Sequence, residues 1–209
     1  MITATYIQHC GNDLMVVNAA RVSFAKESAM FSNKDAGLIS YLAKHNHKSP
    51  FNHTFVTFHV NAPIVVARQL VKHEYMPWNE VSRRYVDDEP EFYTPDVWRG
   101  RSADKKQGSE GVVKLEGVDE QIVDDYAAEA LTAYQVLLEA GVCPEQARFV
   151  LPQSMMTEWY WSGTLFAFAK MCNGRCAPDT QLETRLVANQ ICDKMRELFP
   201  VSWLALRGL

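Results

Sequence analysis

Residues 68–85 read RQLVKHEYMPWNEVSRRY, the densest cluster of polar side chains in this chain of 209 residues. The first part continues a predicted helix, on which polar residues recur at spacings of three and four and so partly share a face. These residues are Arg68, Gln69, Lys72 and His73. The second part is a predicted loop that places further polar groups beside aromatic side chains. The polar groups are Asn79, Glu80, Ser82, Arg83 and Arg84, and the aromatic ones are Tyr75, Trp78 and Tyr85.

So many directional groups in one stretch point to a ligand. Arginine recognises phosphate through paired hydrogen bonds, while Gln, Asn and Glu can read the edge of a heterocycle. Aromatic neighbours can stack on a flat ring. Two interpretations remain open from these residues: a nucleotide-like anionic ligand and a structural network of ion pairs. Arg148 and Arg175 are further anion-binding candidates, or else ordinary surface arginines.

The flanking sequence predicts one α+β domain over 1–209, without repeats or linkers. Alternating or β-branched stretches favour strands at 2–8, 54–60 and 155–161. Apolar stripes favour helices at 34–46, 63–73, 119–140, 164–173 and 179–198. We expect Asn33 to cap the first of these helices. The residues expected to face inward are Ile122, Tyr126, Leu131, Tyr134 and Leu138 on the helix at 119–140, and Leu182, Leu186, Ile191, Met195 and Leu198 on the helix at 179–198. Residues from about 96 to 117 form a variable excursion of the kind often found in lids or surface loops.

Composition narrows the class of protein. The chain is 47% hydrophobic and 22% charged, with net charge -4, so no global basic field draws it to nucleic acid or anionic lipid. The basic run Arg99, Arg101, Lys105 and Lys106 is typical of a solvated loop. Five cysteines, an odd number, suit buried thiols in a reducing compartment. No leader and no apolar run of about 18 residues is apparent, so we expect a cytoplasmic protein, in the host cytoplasm if viral.

Histidines raise a metal hydrolase as an alternative class. Five of the six lie close together, at His45, His47, His53, His59 and His73. A metal site of this kind needs carboxylates nearby, and residues 44–73 contain no Asp or Glu. We therefore predict structural or cofactor-facing histidines and no metal.

The segment KHEYMPWNEVSRRY at 72–85 resembles the signature of flavin-dependent thymidylate synthases, R-H-R-x-x-S-x-N-E-x-S-x-R-Y. Lys72, His73 and Glu74 fall on Arg-His-Arg, and five later positions match outright. These five are Asn79, Glu80, Ser82, Arg84 and Tyr85. The resemblance extends to GNDL…AARVSF at 11–24, KHNHKSPFNHTFVTFHVNAPIVVARQ at 44–69, EFYTP at 91–95 and EAGVCPEQARFVLP at 139–152.

The resemblance implies an antiparallel sheet with flanking helices and a reductive methylation of dUMP. Methylenetetrahydrofolate gives the carbon, reduced FAD gives the hydride, and NADPH reduces the flavin. The resemblance also implies a homotetramer with sites shared between subunits. Matching positions assign substrate contacts to Gln69, Lys72, Glu80, Ser82, Arg83, Arg84, Arg148 and Arg175. Flavin or folate contacts fall to His47, Ser49, Asn52, Lys72, His73, Glu74, Glu80, Thr164, Phe166 and Lys170.

Arg175 is the predicted catalytic residue. It matches the arginine that faces the uracil and favours the ring ionised at N3, and a fixed cation near developing negative charge is worth roughly 3 kcal/mol. Ser82 is expected to donate a hydrogen bond to phosphate and not to act as a nucleophile, because a carboxylate such as Glu80 is a weak base for a hydroxyl.

Several positions depart from the family pattern. Lys72 and Glu74 replace two arginines, Pro77 replaces a serine, and Asn52 stands where glutamate is common. Thr164, Phe166 and Lys170 occupy the region where the family often shows Asn-x-Arg and another Asn. These departures keep two alternatives open: a related transferase that delivers a hydroxymethyl group or accepts dCMP, and a nucleotide-binding homologue without catalysis.

Overall fold

The chain folds around an antiparallel sheet in a computed structural model that describes residues 1–104, 108–116 and 121–208. The strands are β1 (Thr3–Cys10), β2 (Phe55–Pro63), β3 (Trp78–Glu80), β4 (Arg99–Arg101), β5 (Ser109–Val112) and β6 (Met156–Thr164). Four of them form one sheet in the order β1-β2-β6-β3, and β4 pairs with β5 in a separate hairpin. Every pairing in the larger sheet is antiparallel, which confirms the predicted α+β class with an antiparallel sheet.

The described residues form eight α-helices. They are α1 (Asp13–Arg21), α2 (Asn33–Lys44), α3 (Ile64–Leu70), α4 (Ile122–Glu139), α5 (Pro144–Ala147), α6 (Leu165–Arg175), α7 (Leu182–Leu198) and α8 (Pro200–Arg207). Short 3-10 turns cover Val22–Phe24, Ser49–Asn52 and Arg148–Val150. In the described residues no helix has the length and apolar character needed to cross a membrane.

One face of the sheet is buried and the other is exposed, because side chains alternate along each strand. Phe58 and Trp161 face each other across β2 and β6, and both are fully buried. Their neighbours His59 and Tyr160 also face each other, on the opposite face, and Tyr160 is 51% exposed. Helices α3, α6 and α7 cover the buried face.

A stack of two indole rings positions residues 79–85, the second part of the polar segment at 68–85. Trp78 of β3 lies on Trp159 of β6, with ring centres 4.4 Å apart and planes 18° from parallel. Stacking of this kind adds about 0.5–1.5 kcal/mol beyond buried area. The stack holds β3, a strand of only three residues, against the sheet. Residues 79–85 therefore begin at a fixed position on the sheet.

The excursion is partly structured. Strands β4 and β5 form a hairpin whose Gly108 has φ +98°, a conformation that glycine adopts without strain. A Cβ at Gly108 would lie 3.1 Å from the backbone oxygen of Asp179, so the hairpin approaches the loop before α7 closely. Lys105 and Lys106 of the predicted basic run lie outside the described residues, as does the predicted start of the fourth helix at 119.

The first and last helices are joined through Asp13. Its Oδ2 accepts from the backbone N–H of Val201 and its Oδ1 from that of Ser202, both at 2.9 Å. The carboxylate is buried, with Asp13 only 8% exposed. Free N–H groups and the helix dipole make the N-terminus of α8 a favourable place for this charge.

Some local predictions were wrong. Ser32, and not Asn33, caps α2, because Ser32 and Asp35 form a reciprocal capping box that satisfies two backbone donors. Ile122 and Tyr126 are 52% and 58% exposed, since α4 turns its Ala127–Ala130–Tyr134 stripe inward. Leu186 is 40% exposed, because the polar residues Glu183 and Thr184 occupy the buried side of α7.

Candidate active site

Arg175, the last residue of α6, is held by contacts with the end of α3 and the residues that follow it. Its Nε donates to Nε2 of His73 at 3.1 Å, and its Nη2 donates to the backbone carbonyl of Gln69 at 3.2 Å. Carbonyl groups in the last turn of a helix have no partner within the helix, and Gln69 is the penultimate residue of α3. The guanidinium supplies that partner, so its plane is fixed by the protein.

A cavity of about 400 Å³ opens beside this guanidinium. Its lining residues are Gln69, Lys72, Gly108, Gly174, Arg175, Asp179, Thr180 and Gln181. Two cations, Lys72 and Arg175, outnumber the single acid, Asp179, and two amides add donors and acceptors, a set suited to an anion that carries a polar ring. Three of the predicted substrate residues, Gln69, Lys72 and Arg175, are therefore brought together.

His73 is neutral at ordinary pH. Burial, followed by the positive charges of Arg175 and Lys170, lowers the pKa of His73 from 6.5 to about 4. Only a neutral imidazole presents a lone pair at Nε2 to the N–H of Arg175. The histidine thus orients the arginine without adding a second positive charge.

We expect acid to destabilise the protein through His73. The pKa of about 4 in the folded protein lies below 6.5, so between these values the unfolded chain binds a proton that the folded protein does not. The free energy of unfolding should therefore fall as the pH drops through this interval. His73→Gln keeps an acceptor for Arg175 without titrating, so its melting temperature should fall less. Thermal unfolding across the interval measures the difference, and parallel curves for the two proteins would contradict it.

Residues at the start of α7 hold the Gln69 side chain. Thr184 Oγ1 donates to Gln69 Oε1 at 3.1 Å, and Gln69 Nε2 donates to Gln181 Oε1. Gln181 Nε2 in turn donates to Glu183 Oε2 at 3.0 Å. Arg99 Nη2 lies 2.8 Å from both carboxylate oxygens of Glu183. A continuous hydrogen-bond network thus runs from the β4–β5 hairpin to the cavity.

Residue patterns carry no clear signal for this network. An acid in the first turn of a helix, such as Glu183, is ordinary because it complements the helix dipole. Burial alone raises the pKa of Glu183, but its own backbone N–H, Arg99 and Gln181 outweigh burial and lower the pKa. The buried carboxylate is thus ionised and paired. The QLET pattern at 181–184 was the only local hint.

Three of the residues predicted for the flavin, Asn52, Thr164 and Phe166, lie around the start of α6. Thr164 caps this helix, with Oγ1 accepting from the N–H of Ala167 at 3.2 Å and donating to Asn52 Oδ1 at 2.8 Å. The Lys48 ammonium lies 5.6 Å from the centre of the Phe166 ring. An aromatic ring, a helix N-terminus and a lysine are groups that fit the flat ring and phosphates of a dinucleotide.

Glu74 and Lys170 also lie in this region. Their closest charged atoms are 3.9 Å apart, and both side chains are about two-thirds exposed. Such an exposed pair contributes little to stability. It nevertheless neutralises the acid that replaces a family arginine, so Glu74 need not repel a bound phosphate. His47, in the turn before the 3-10 helix Ser49–Asn52, stacks edge-on to Tyr41 at 5.9 Å.

A second group of predicted substrate residues surrounds Glu145. Arg84 Nε donates to Glu145 Oε2 at 3.1 Å, and Arg148 Nε donates to the Glu145 backbone oxygen at 3.2 Å. Ser82 Oγ accepts from the backbone N–H of Arg84 at 3.3 Å. Ser82, Arg84 and Arg148 are therefore neighbours, and we call them with Glu145 the Arg84 cluster.

Arg83 and Glu80 lie apart from the Arg84 cluster. Arg83 Nη1 donates to Asp88 Oδ1 at 3.0 Å and lines a different cavity with Asn61. Glu80 Oε1 accepts from Thr157 Oγ1 at 2.8 Å, and its Oε2 accepts from Trp78 Nε1 at 3.0 Å. In this arrangement Glu80 fastens β3 to β6, and Arg83 fastens the loop that follows.

The Arg84 cluster and the Arg175 cavity are separate within one chain. Over the described ranges, no hydrogen bond or ion pair joins the two groups. Neither Ser82, Arg84 nor Arg148 lines the cavity beside Arg175. Within this chain the predicted substrate residues therefore do not form one continuous site: Gln69, Lys72 and Arg175 make one group, and Ser82, Arg84 and Arg148 make another.

The histidine cluster does not form a ligand set. His45 and His47 lie in the turn after α2 and not on a strand, with ring centres 6.4 Å apart. His59 instead lies 3.2 Å from Glu158 on the exposed sheet face. Where the chain is described, no group of three or more His, Cys, Asp or Glu residues could hold a metal ion.

Comparison with known proteins identifies the family. The family model described as "Thymidylate synthase complementing protein" matches residues 5–201, and the chain belongs to this family. Among its relatives are proteins named flavin-dependent thymidylate synthase. One from Thermus thermophilus is 40% identical over 95% of this chain and 73% of its own length. That of Borreliella burgdorferi is 35% identical over 94% of this chain and 77% of its own length. The resemblance predicted from 72–85 is confirmed.

A solved structure shares the whole fold. The UMP/dUMP methylase PolB from Streptomyces cacaoi, bound with 5-Br dUMP, is similar with a TM-score of 0.90 and 32% sequence identity. The similarity covers 100% of this chain and 96% of that one. The fold of this chain is thus one on which a nucleotide methylase is built.

Proposed function

We propose that the chain catalyses the reductive methylation of dUMP to dTMP. Methylenetetrahydrofolate supplies the carbon, and NADPH supplies the reducing equivalents through FAD. The observation that carries the proposal is the cavity where Gln69, Lys72 and Arg175 meet, in a chain of this family. The names of the relatives, and the 5-Br dUMP bound to the solved methylase, support a pyrimidine deoxynucleotide as substrate.

In this proposal Arg175 faces the pyrimidine ring. Two hydrogen bonds fix its guanidinium, so no reorganisation is needed when negative charge develops on the ring. Neutral His73 preserves this orientation near pH 7 because its pKa is about 4. Lys72 adds positive charge to the same cavity and attracts the anionic ligand.

Bound FAD supplies the hydride that completes the methyl group. The residues that would hold it are Asn52, Thr164, Phe166 and Lys170, with His47, Ser49, His73, Glu74 and Glu80. Thr164 and Asn52 orient each other through a hydrogen bond of 2.8 Å. The N-terminus of α6 and two nearby lysines offer positive potential for the cofactor's phosphates.

The proposal includes a homotetramer whose sites combine two subunits. A phosphate needs arginines, and Arg84 and Arg148 lie together but away from the Arg175 cavity. A second copy of the chain that brings its Arg84 cluster to this cavity would complete the site. In symmetric assemblies such contacts recur on every subunit. We also place the protein in the cytoplasm, in keeping with five free cysteines.

The decisive experiment is product analysis. Purified protein is incubated with FAD, NADPH, methylenetetrahydrofolate and either dUMP or dCMP, and the nucleotide mass is measured. We expect dUMP to gain a methyl group and dCMP to remain unchanged. Addition of a hydroxymethyl group, or reaction of dCMP alone, would replace the proposal by the related transferase. No product despite bound FAD and bound dUMP would indicate a homologue without catalysis.

A further inference from the structure

The network from Arg99 to Gln69 has a fixed direction. A carboxylate can only accept hydrogen bonds, so Glu183 must face the NH₂ group of Gln181. The carbonyl of the Gln181 amide then points the other way, toward Gln69. It can be satisfied only by the NH₂ group of Gln69, which is the arrangement present. One buried charge therefore fixes the orientation of two amides in succession.

Thr184 supports the same orientation from a second side. Its Oγ1 donates to Gln69 Oε1 at 3.1 Å, which engages the carbonyl of that amide. The NH₂ group of Gln69 has two hydrogens, and Gln181 takes one. Since Gln69 lines the cavity, the second N–H is available to a ligand there. The backbone carbonyl of Gln69 accepts from Arg175, so the same residue contacts the arginine through its main chain.

We propose that Glu183 is a positioning residue for substrate recognition: it sets the Gln69 amide so that an N–H, and not a carbonyl, faces the nucleotide. This inference rests on the proposed function, in which the cavity holds dUMP. Uracil carbonyls, ribose oxygens and phosphate all accept hydrogen bonds, so an N–H complements them. A reversed Gln69 amide would place two acceptors face to face.

Arg99, in strand β4 of the excursion, fixes the position of the Glu183 carboxylate. Its Nη2 lies 2.8 Å from both carboxylate oxygens, and its Nε donates to Ser109 Oγ at 2.8 Å. The pair is well shielded, with side chains 23% and 5% exposed. Oε2 of Glu183 accepts from Arg99 and, through its second lone pair, from Gln181 as well.

The test exchanges two side chains. In Glu183→Gln the orientation of the Gln181 and Gln69 amides is no longer fixed, because the new amide can present either its carbonyl or its NH₂ group to Gln181. The double variant Gln181→Glu with Glu183→Gln restores it: Glu at 181 accepts from Gln69 on one oxygen and from Gln at 183 on the other. Arg99 can still donate to the carbonyl at 183. The exchange keeps the charge and atom count but places the carboxylate in the wall of the cavity, where Lys72 and Arg175 offset its repulsion of the phosphate of dUMP.

We expect Glu183→Gln to weaken dUMP binding about tenfold, the scale of one hydrogen bond to a polar ligand. The double variant should recover affinity to within about threefold of the unmodified protein. Calorimetric Kd values for dUMP provide a readout independent of turnover, and the KM for dUMP should rise with kcat little changed. Glu197→Gln, an exposed acid on the same helix paired with Lys194, is the matched control with no expected effect.

Particular results would overturn the inference. If the double variant binds dUMP as weakly as Glu183→Gln although both melt like the unmodified protein, Glu183 acts only through its ion pair with Arg99. Should Glu183→Gln fail to fold, Thr184→Val removes the other orienting bond and should weaken dUMP binding several-fold; unchanged binding would also refute the inference. If the unmodified protein binds no dUMP, the proposed function itself fails, which is a distinct result.

Discussion

Replacement of Arg175 by alanine is expected to lower kcat for dUMP about 100-fold or more, with KM changed no more than about threefold. The arginine is pre-oriented by Gln69 and His73, so its charge stabilises the transition state more than the bound substrate. Steady-state kinetics with dUMP varied at saturating cosubstrates measure both constants. The exposed Arg196, paired on the surface with Asp193, gives the control variant Arg196→Ala.

A rise in KM with kcat unchanged would contradict this assignment. In that case Arg175 binds the ground state and the transition state alike. His73→Gln gives a second check, because it preserves an acceptor for the guanidinium. At saturating FAD its kcat near pH 7 should fall far less than that of Arg175→Ala, because the histidine with its pKa of about 4 is neutral there in any case.

Arg84→Ala is expected to act on binding: KM and Kd for dUMP should rise roughly 10–100-fold, with kcat largely retained. The planar guanidinium of Arg84 can bind phosphate through two parallel hydrogen bonds. Its removal also leaves the Glu145 carboxylate without its ion-pair partner, since Arg148 contacts only the Glu145 backbone oxygen. Titration calorimetry and steady-state kinetics with dUMP test both constants. Arg196→Ala again serves as control, and a loss confined to kcat would exclude the phosphate-binding role.

Mixing these two variants tests whether sites are shared. If each site takes Arg175 from one subunit and the Arg84 cluster from another, randomly reassembled subunits regenerate intact sites at about one in four positions. Activity should therefore return after the Arg175→Ala and Arg84→Ala proteins are unfolded, mixed and refolded together. Each variant refolded alone provides the baseline. Mixed protein that is no more active than the average of the two would place the complete site within one subunit.

The strands β1, β2 and β6 and most helices could be predicted because their signals are local, whereas β3, β4 and β5 were not predicted. Residues 54–60 combine β-branched and aromatic side chains, and 55–60 lie in β2. The buried face of each helix was predicted less accurately. On α4 Tyr134 is buried as predicted, but Ile122 and Tyr126 of the same predicted stripe are exposed, and Ala127 and Ala130 are buried instead. Which stripe faces inward depends on tertiary packing, which no local pattern encodes.

The candidate site shows a similar division. The motif at 72–85 and Arg175 could be placed by resemblance, but not the groups that hold them. The partner of Arg175 lies 102 residues earlier at His73, and that of Glu183 lies 84 residues earlier at Arg99. Such long-range pairs leave no trace in residue spacing. The separation of Arg84 from the Arg175 cavity was also invisible in sequence, because both belong to the same predicted ligand set.

Asp13 has a consequence for how the chain matures on the ribosome. Its carboxylate is buried, and the N–H groups that satisfy it belong to Val201 and Ser202. Until that distant part of the polypeptide has emerged from the exit tunnel, the acid has no partner and cannot be buried without penalty. In a nascent chain that is halted before α8, α1 therefore lacks this contact and is accessible to chaperones and proteases. Completion of this contact, spanning 188 residues, marks the moment at which the domain can close.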